Sequence, residues 1–235
     1  PGLTGGITIS AGTLSVGSNS ALAAGTVTLN GGTLSLTATA TYDNDVALST
    51  DGGTIDVGSG LTATLDHTVS GTTTLTKTGT GTLALSSTGN SATAWNATVG
   101  AGTLSIGAAT TIGTGTITLA GSTTLQFTGA ATLANALTLT GNATVQTDAD
   151  VTLSGNITAA TNTLTKAGSA VLTLGGTSNS TAWNATVGAG TLKLGAATNI
   201  GTGTVTLASG TTLQITSAAT LVNAVALSGA ATIQT

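Results

Sequence analysis

Thr93 to Leu104 reads TAWNATVGAGTL, and Thr181 to Leu192 reads TAWNATVGAGTL again. The offset is 181 − 93 = 88 residues. The match runs on: GAATTIGTGTITLAGSTTLQFTGAATLANALTLTGNATVQT from Gly107 returns as GAATNIGTGTVTLASGTTLQITSAATLVNAVALSGAATIQT from Gly195. A more diverged copy opens the chain. AGTLSVG from Ala11 matches AGTLSIG from Ala101, and TTTLTKTG from Thr72 matches TNTLTKAG from Thr161. A period of this length marks a repeat architecture, in which each unit buries its apolar face only against its neighbours. The long repeats fall at approximately 1–98, 99–186 and 187–235, the last incomplete, within one continuous solenoid over 1–235.

A finer rhythm lies inside each repeat. Pieces such as GTLSIG, GTITLAG, TTLQF, ALTLTG and ATVQT alternate, so that Ile117 and Leu119 share one face and Thr116 and Thr118 the other. That is the period of two of a half-buried strand. Gly-Gly, Asn-Gly, Ser-Gly and Gly-Asn punctuate the pieces as turns, and no stretch carries helix periodicity. Near-identical repeats stack most easily in parallel, because Leu then meets Leu inside, Thr meets Thr outside, and Asn ladders at the turns. The expected fold is an all-β, right-handed parallel β-helix. At about 20 residues per coil, it makes roughly 11 or 12 coils. Phe127 aligns with Ile215 and belongs to the core.

Composition agrees. Only 4% of the 235 residues are charged and 2% aromatic. A core made almost wholly of Leu, Val, Ile and Ala is thin and needs many repeats. The net charge of −4 and the positive mean hydropathy of +0.44 argue against disorder. With three lysines and no arginine, a nucleic-acid partner is not expected, since binding needs clustered cations to displace counterions. No apolar run is long enough for a transmembrane helix. The absence of cysteine excludes thiolate chemistry and suits export through an oxidising compartment.

LTKTGTGTLALSS (Leu75 to Ser87), VGAGTLSIG (Val99 to Gly107) and LTGGITISAGTLSVGSNSALAAGTVTLNGGTLSL (Leu3 to Leu36) resemble the autotransporter-associated β-strand repeat. The resemblance covers nearly the whole chain. It implies a passenger-type region of a bacterial surface protein, folded as a right-handed parallel β-helix and serving as an extracellular stalk, fibre or adhesin scaffold. Its partners would be further copies of the chain, end to end or laterally, and surface glycans or other cells.

Candidate chemistry is sparse. The acids are Asp43, Asp45, Asp51, Asp56, Asp66, Asp148 and Asp150, with no Glu. A polysaccharide lyase or hydrolase needs paired carboxylates, often with a cation beside them. Asp66 and His67 are adjacent and would point to opposite faces of a strand. No enzymatic activity and no cofactor are expected. Asp43-Asn44-Asp45 and Asp148-Ala149-Asp150 each offer two oxygens to a hard cation, whereas calcium takes six or more; solvated acidic turns are the alternative. Lys77 and Lys166 occupy matching LTK positions, which suggests a surface role repeated with the coil. Trp95 and Trp183, in identical contexts, are either a surface contact, such as a sugar platform, or turn residues folded onto the coil. Thr-x-Thr pairs recur, as at Thr116/Thr118 and Thr204/Thr206. They are expected not to fall on one strand of every coil, which counts against an ice-binding array. A solenoid with the open edges implied by LTGGITIS at one end and TIQT at the other would belong to a longer chain or stack into filaments.

Overall fold

The computed structural model describes residues 5–22, 24–176, 179, 181–216 and 220–235. The fold is an all-β solenoid of about 11 turns, with parallel strands stacked coil on coil. It divides into two compact units, Pro1–Ile117 and Thr118–Thr235.

In the first unit the coil has three faces. Ile7–Ile9, Val27–Leu29, Val46–Leu48 and Val69–Gly71 form one sheet. Thr13–Val16, Thr33–Leu36, Gly53–Val57, Thr74–Thr78 and Asn96–Val99 lie side by side in the second. Ala40–Tyr42, Thr62–Leu65, Thr82–Leu85 and Thr103–Ile106 lie side by side in the third. All are paired in parallel, with like opposite like: Leu14↔Leu34↔Ile55 inside and Thr13↔Thr33↔Thr54 outside.

The second unit repeats the plan. Leu137–Leu139 pairs with Ile157–Thr158. Thr124–Phe127, Ala143–Thr147, Thr163–Ala167, Asn184–Val187, Val205–Leu207 and Val225–Leu227 make a second face. Ala131–Leu133, Val151–Leu153, Val171–Leu174, Thr191–Leu194, Thr212–Ile215 and Thr232–Gln234 make a third.

Strict alternation places the core. Ile117 and Leu119 are buried while Thr118 between them is half-buried, as the period of two requires. Phe127 is fully buried and Ile215 is buried as well. Within the paired strands, inward side chains meet their counterparts one coil away, which carries the thin aliphatic core along each unit.

Thr-x-Thr pairs do not fall on one strand of every coil, but single threonines form rows that the pairs do not reveal. In the first unit Thr13, Thr33, Thr54, Thr76 and Thr98 form one unbroken outward row, a threonine on every coil. In the second unit Thr124, Thr144, Thr165, Thr186 and Thr206 do the same. Counting Thr-x-Thr pairs along the chain hides these rows, because they are built across strands from one threonine per coil.

Candidate functional site

The groups best suited to chemistry lie inside the coils. Lys77 shares its parity with Leu75, and the strand Thr74–Thr78 therefore turns both inward. Its side chain is 1% exposed. The ammonium donates to the carbonyls of Thr78 (2.7 Å), Gly79 (2.7 Å) and Ala101 (3.2 Å). Lys166 is its copy, also 1% exposed, donating to Ala167 (2.9 Å), Gly168 (2.7 Å) and Ala189 (3.1 Å). An ammonium has three N–H donors and no acceptor, and here each donor finds a turn carbonyl. Gly79 and Gly168 take φ of +69° and +80°. A side chain at Gly79 would collide with the Val57 carbonyl, so glycine is required for the turn that aims its carbonyl inward. The surface role expected of these lysines is thus overturned. A buried lysine is tolerated because the turn supplies it with a full set of acceptors. Burial pulls both ammonium groups down from the usual 10.5 to about 8, opposed by the carboxylates of Asp56 for Lys77 and of Asp148 and Asp150 for Lys166.

The tryptophans are also internal, which corrects the surface-contact reading: Trp95 and Trp183 are both 0% exposed. In the first unit the chain leaves Thr82–Leu85 through a 3-10 turn, Thr88–Ala92, and re-enters the second sheet at Asn96 without making a strand on the first face. Side chains replace that strand. Val69 N–H donates to Asn90 Oδ1 (2.7 Å), and Trp95 Nε1 and Thr93 Oγ1 donate to the Val69 carbonyl (3.0 and 3.2 Å). Asn90 Nδ2 passes the link on to the Thr111 carbonyl (2.8 Å). The indole packs on Gly113, where an added Cβ would lie 2.7 Å from Nε1.

The second unit keeps half of the device. Ile157 N–H donates to Asn179 Oδ1 (2.6 Å), and Asn179 Nδ2 donates to the Asn199 carbonyl (2.7 Å). Trp183 packs on Gly201, but its Nε1 has no hydrogen-bond partner among the described residues.

The acidic pairs join coil to coil. Asp43 Oδ2 accepts from Asn19 Nδ2 (2.7 Å), and Asn19 Oδ1 accepts in return from Asp43 N–H. Asp45 Oδ1 accepts from Thr68 N–H. Asp148 accepts from both Gln126 (2.7 Å) and Gln146 (3.0 Å), and Asp150 from Val171 N–H (2.9 Å). Among the described residues no three metal-ligating side chains come together. His67 and Asp66 do meet, Nδ1 to Oδ1 at 2.9 Å, on the exposed surface. That hydrogen bond chiefly raises the His67 pKa, with smaller help from the charges of Asp66, Asp45 and Asp43.

A concave surface stands outside this structural use. A groove of about 410 Å³ lies on the outer side of the sheet that begins at Ala131–Leu133. Its floor is the row Thr132, Thr152, Thr173, Lys193, Gln214, one side chain per coil. Asp150 stands at its rim. Sequence inspection missed it, because only the pairing register brings residues 132 and 214 into one line.

Comparison with protein-family models, with curated proteins and with solved structures finds no match to this chain.

Proposed function

We propose that the chain is a scaffold segment of a repetitive bacterial surface protein of the autotransporter-associated kind, working as an extracellular stalk, fibre or adhesin support. One observation carries this: the buried cations and amides are engaged with backbone groups. Lys77, Lys166, Asn90, Asn179 and Asn199 each bond to the main chain, and most of these bonds join successive coils. A chain whose buried polar groups hold neighbouring coils together resists being pulled apart along its axis. The solenoid fold alone is compatible with many activities. Support for the surface location comes from the repeat resemblance and the lack of cysteine.

Protease shaving of intact cells, followed by detection of this segment, tests the reading. Release from the outer surface is expected; full retention inside the cell overturns it.

The threonine rows favour a second reading, a face that orders water. A regular Thr row on every coil offers hydroxyls at about 4.8 Å intervals. Against it, the neighbouring outward row in the first unit runs Ser15, Ser35, Asp56, Thr78 and so lacks a uniform second rank. Thermal hysteresis of the purified chain separates the two readings.

A further inference from the structure

The groove over Thr132, Thr152, Thr173, Lys193 and Gln214 combines three features. First, its floor side chains have no hydrogen-bond partner among the described residues, as in the outward threonine rows, whereas Gln126 and Gln146 are both held by Asp148. Second, it holds the one lysine of the chain that is not turned into the coil. The ammonium of Lys193 has no carboxylate partner, since among the described residues the only ion pair is His67–Asp66. Third, the lysine interrupts the repeat: the matching position 88 residues earlier is Ser105, in AGTLSIG against AGTLKLG.

We propose that this groove binds a linear, sparsely carboxylated oligosaccharide, with Lys193 as the anchor for a sugar carboxylate. The sheet beneath has its backbone donors and acceptors engaged in parallel pairing, so the polar groups a ligand meets on the floor are side-chain hydroxyls, an amide and an ammonium, with Ala130, Ala131 and Val171 beside them. A polyhydroxylated chain suits such a floor, because its hydroxyls serve the polar row and its ring C–H groups rest on the apolar flank. A ligand lying across the strands meets one floor side chain per coil, five of them over about 19 Å at about 4.8 Å per coil. Charge sets the direction and the density of carboxylates. An ammonium–carboxylate hydrogen bond is the strongest contact available in the groove. At the rim, Asp150 accepts hydroxyl protons and repels a second carboxylate placed beside it. A chain alternating uronate with neutral sugar suits this arrangement better than a polyuronate. The proposal goes beyond a scaffold role and stands apart from it, because it concerns only whether this groove holds a sugar.

Isothermal titration with hyaluronan hexasaccharide, which alternates glucuronate and N-acetylglucosamine, tests it, with neutral chitohexaose as the comparison. The wild-type chain is expected to bind the hyaluronan fragment and to lose affinity as salt is raised. K193S, which installs the residue of the preceding repeat at an outward position, is expected to lose roughly tenfold. T173V should lose less. Circular dichroism of both variants should match the wild type. No binding of the hyaluronan fragment, equal binding by K193S, or equal binding of chitohexaose overturns the proposal. Cell-surface location would be unaffected by any of these outcomes.

Discussion

The Lys77 ammonium reaches the Ala101 carbonyl, 24 residues further along the chain, at 3.2 Å. The bond crosses from one coil to the next inside the solenoid and completes the three-carbonyl cradle begun by Thr78 and Gly79. Lys166 and Ala189 repeat it. A cation therefore does at this corner what a strand ladder does on the faces.

The cradle makes stability depend on pH in a definite direction. Folding lowers each lysine from the usual 10.5 to about 8. Between those values the unfolded chain binds more protons, so unfolding free energy rises with pH across that window. Below pH 8 both states are charged and the term is constant. The rise is at most about 3.5 kcal/mol per lysine, at about 1.4 kcal/mol per pKa unit. Burial raises the Tyr42 pKa, which opposes the trend once the unfolded chain's tyrosine ionises near pH 10. Urea melts at pH 7.5, 8.5 and 9.5 should show increasing stability, and a K77M/K166M chain should show none of the increase. Equal slopes in the two proteins would refute the assignment.

Amine labelling should sort the lysines without mutation. Lys193 is half-exposed on a strand's outer face, whereas Lys77 and Lys166 are sealed and triply bonded. Peptide mapping after brief treatment with an acylating reagent should find the label on Lys193 and the N-terminus. Modification of Lys77 at a similar rate would contradict its burial.

Gly113→Ala should destabilise the first unit by about 1–3 kcal/mol, the usual cost of overpacking a close contact, because the new methyl meets the Trp95 indole. Trp95→Leu costs stability on its own but should leave Gly113→Ala less harmful in its background. A double-mutant cycle measures that coupling; additive costs would mean the two residues do not press on one another.

Leu119→Asp should cost about 3–5 kcal/mol by burying an unpaired carboxylate, while Thr118→Asp should cost well under 1 kcal/mol. Similar midpoints in denaturant melts would invalidate the inside–outside assignment.

The fold was legible because two signals agree: the 88-residue repeat specifies stacking, and alternation as in Ile117-Thr118-Leu119 specifies the faces. The same parity was available for Lys77, expected at the surface, and for Trp95, for which a surface and an internal reading both stood. Lys77 lies two positions from Leu75, and Trp95 two and four positions from buried Ala97 and Val99. Each is inward by the rule applied to its neighbours. Chemistry argued the other way, since an ammonium is rarely buried without acceptors, and those acceptors come from a turn conformation and a residue one coil away. The groove was illegible for a similar reason, because its floor draws one residue from each of five coils.

The side-chain bridge of Asn90 and Trp95 has a genetic consequence. The segments at 93–104 and 181–192 are identical, and each joins the preceding coil by the same pairing, Thr74↔Asn96 in one and Thr163↔Asn184 in the other. Unequal crossing-over between the two coding stretches would delete or add 88 residues. The strand arriving on one side of the junction would still meet the partner type it meets now, and Asn90 or Asn179 would still stand a few residues before a tryptophan. Such a gene can change length in one recombination event while the pairing at the junction is the one already in use, so alleles of different reach lie one step away.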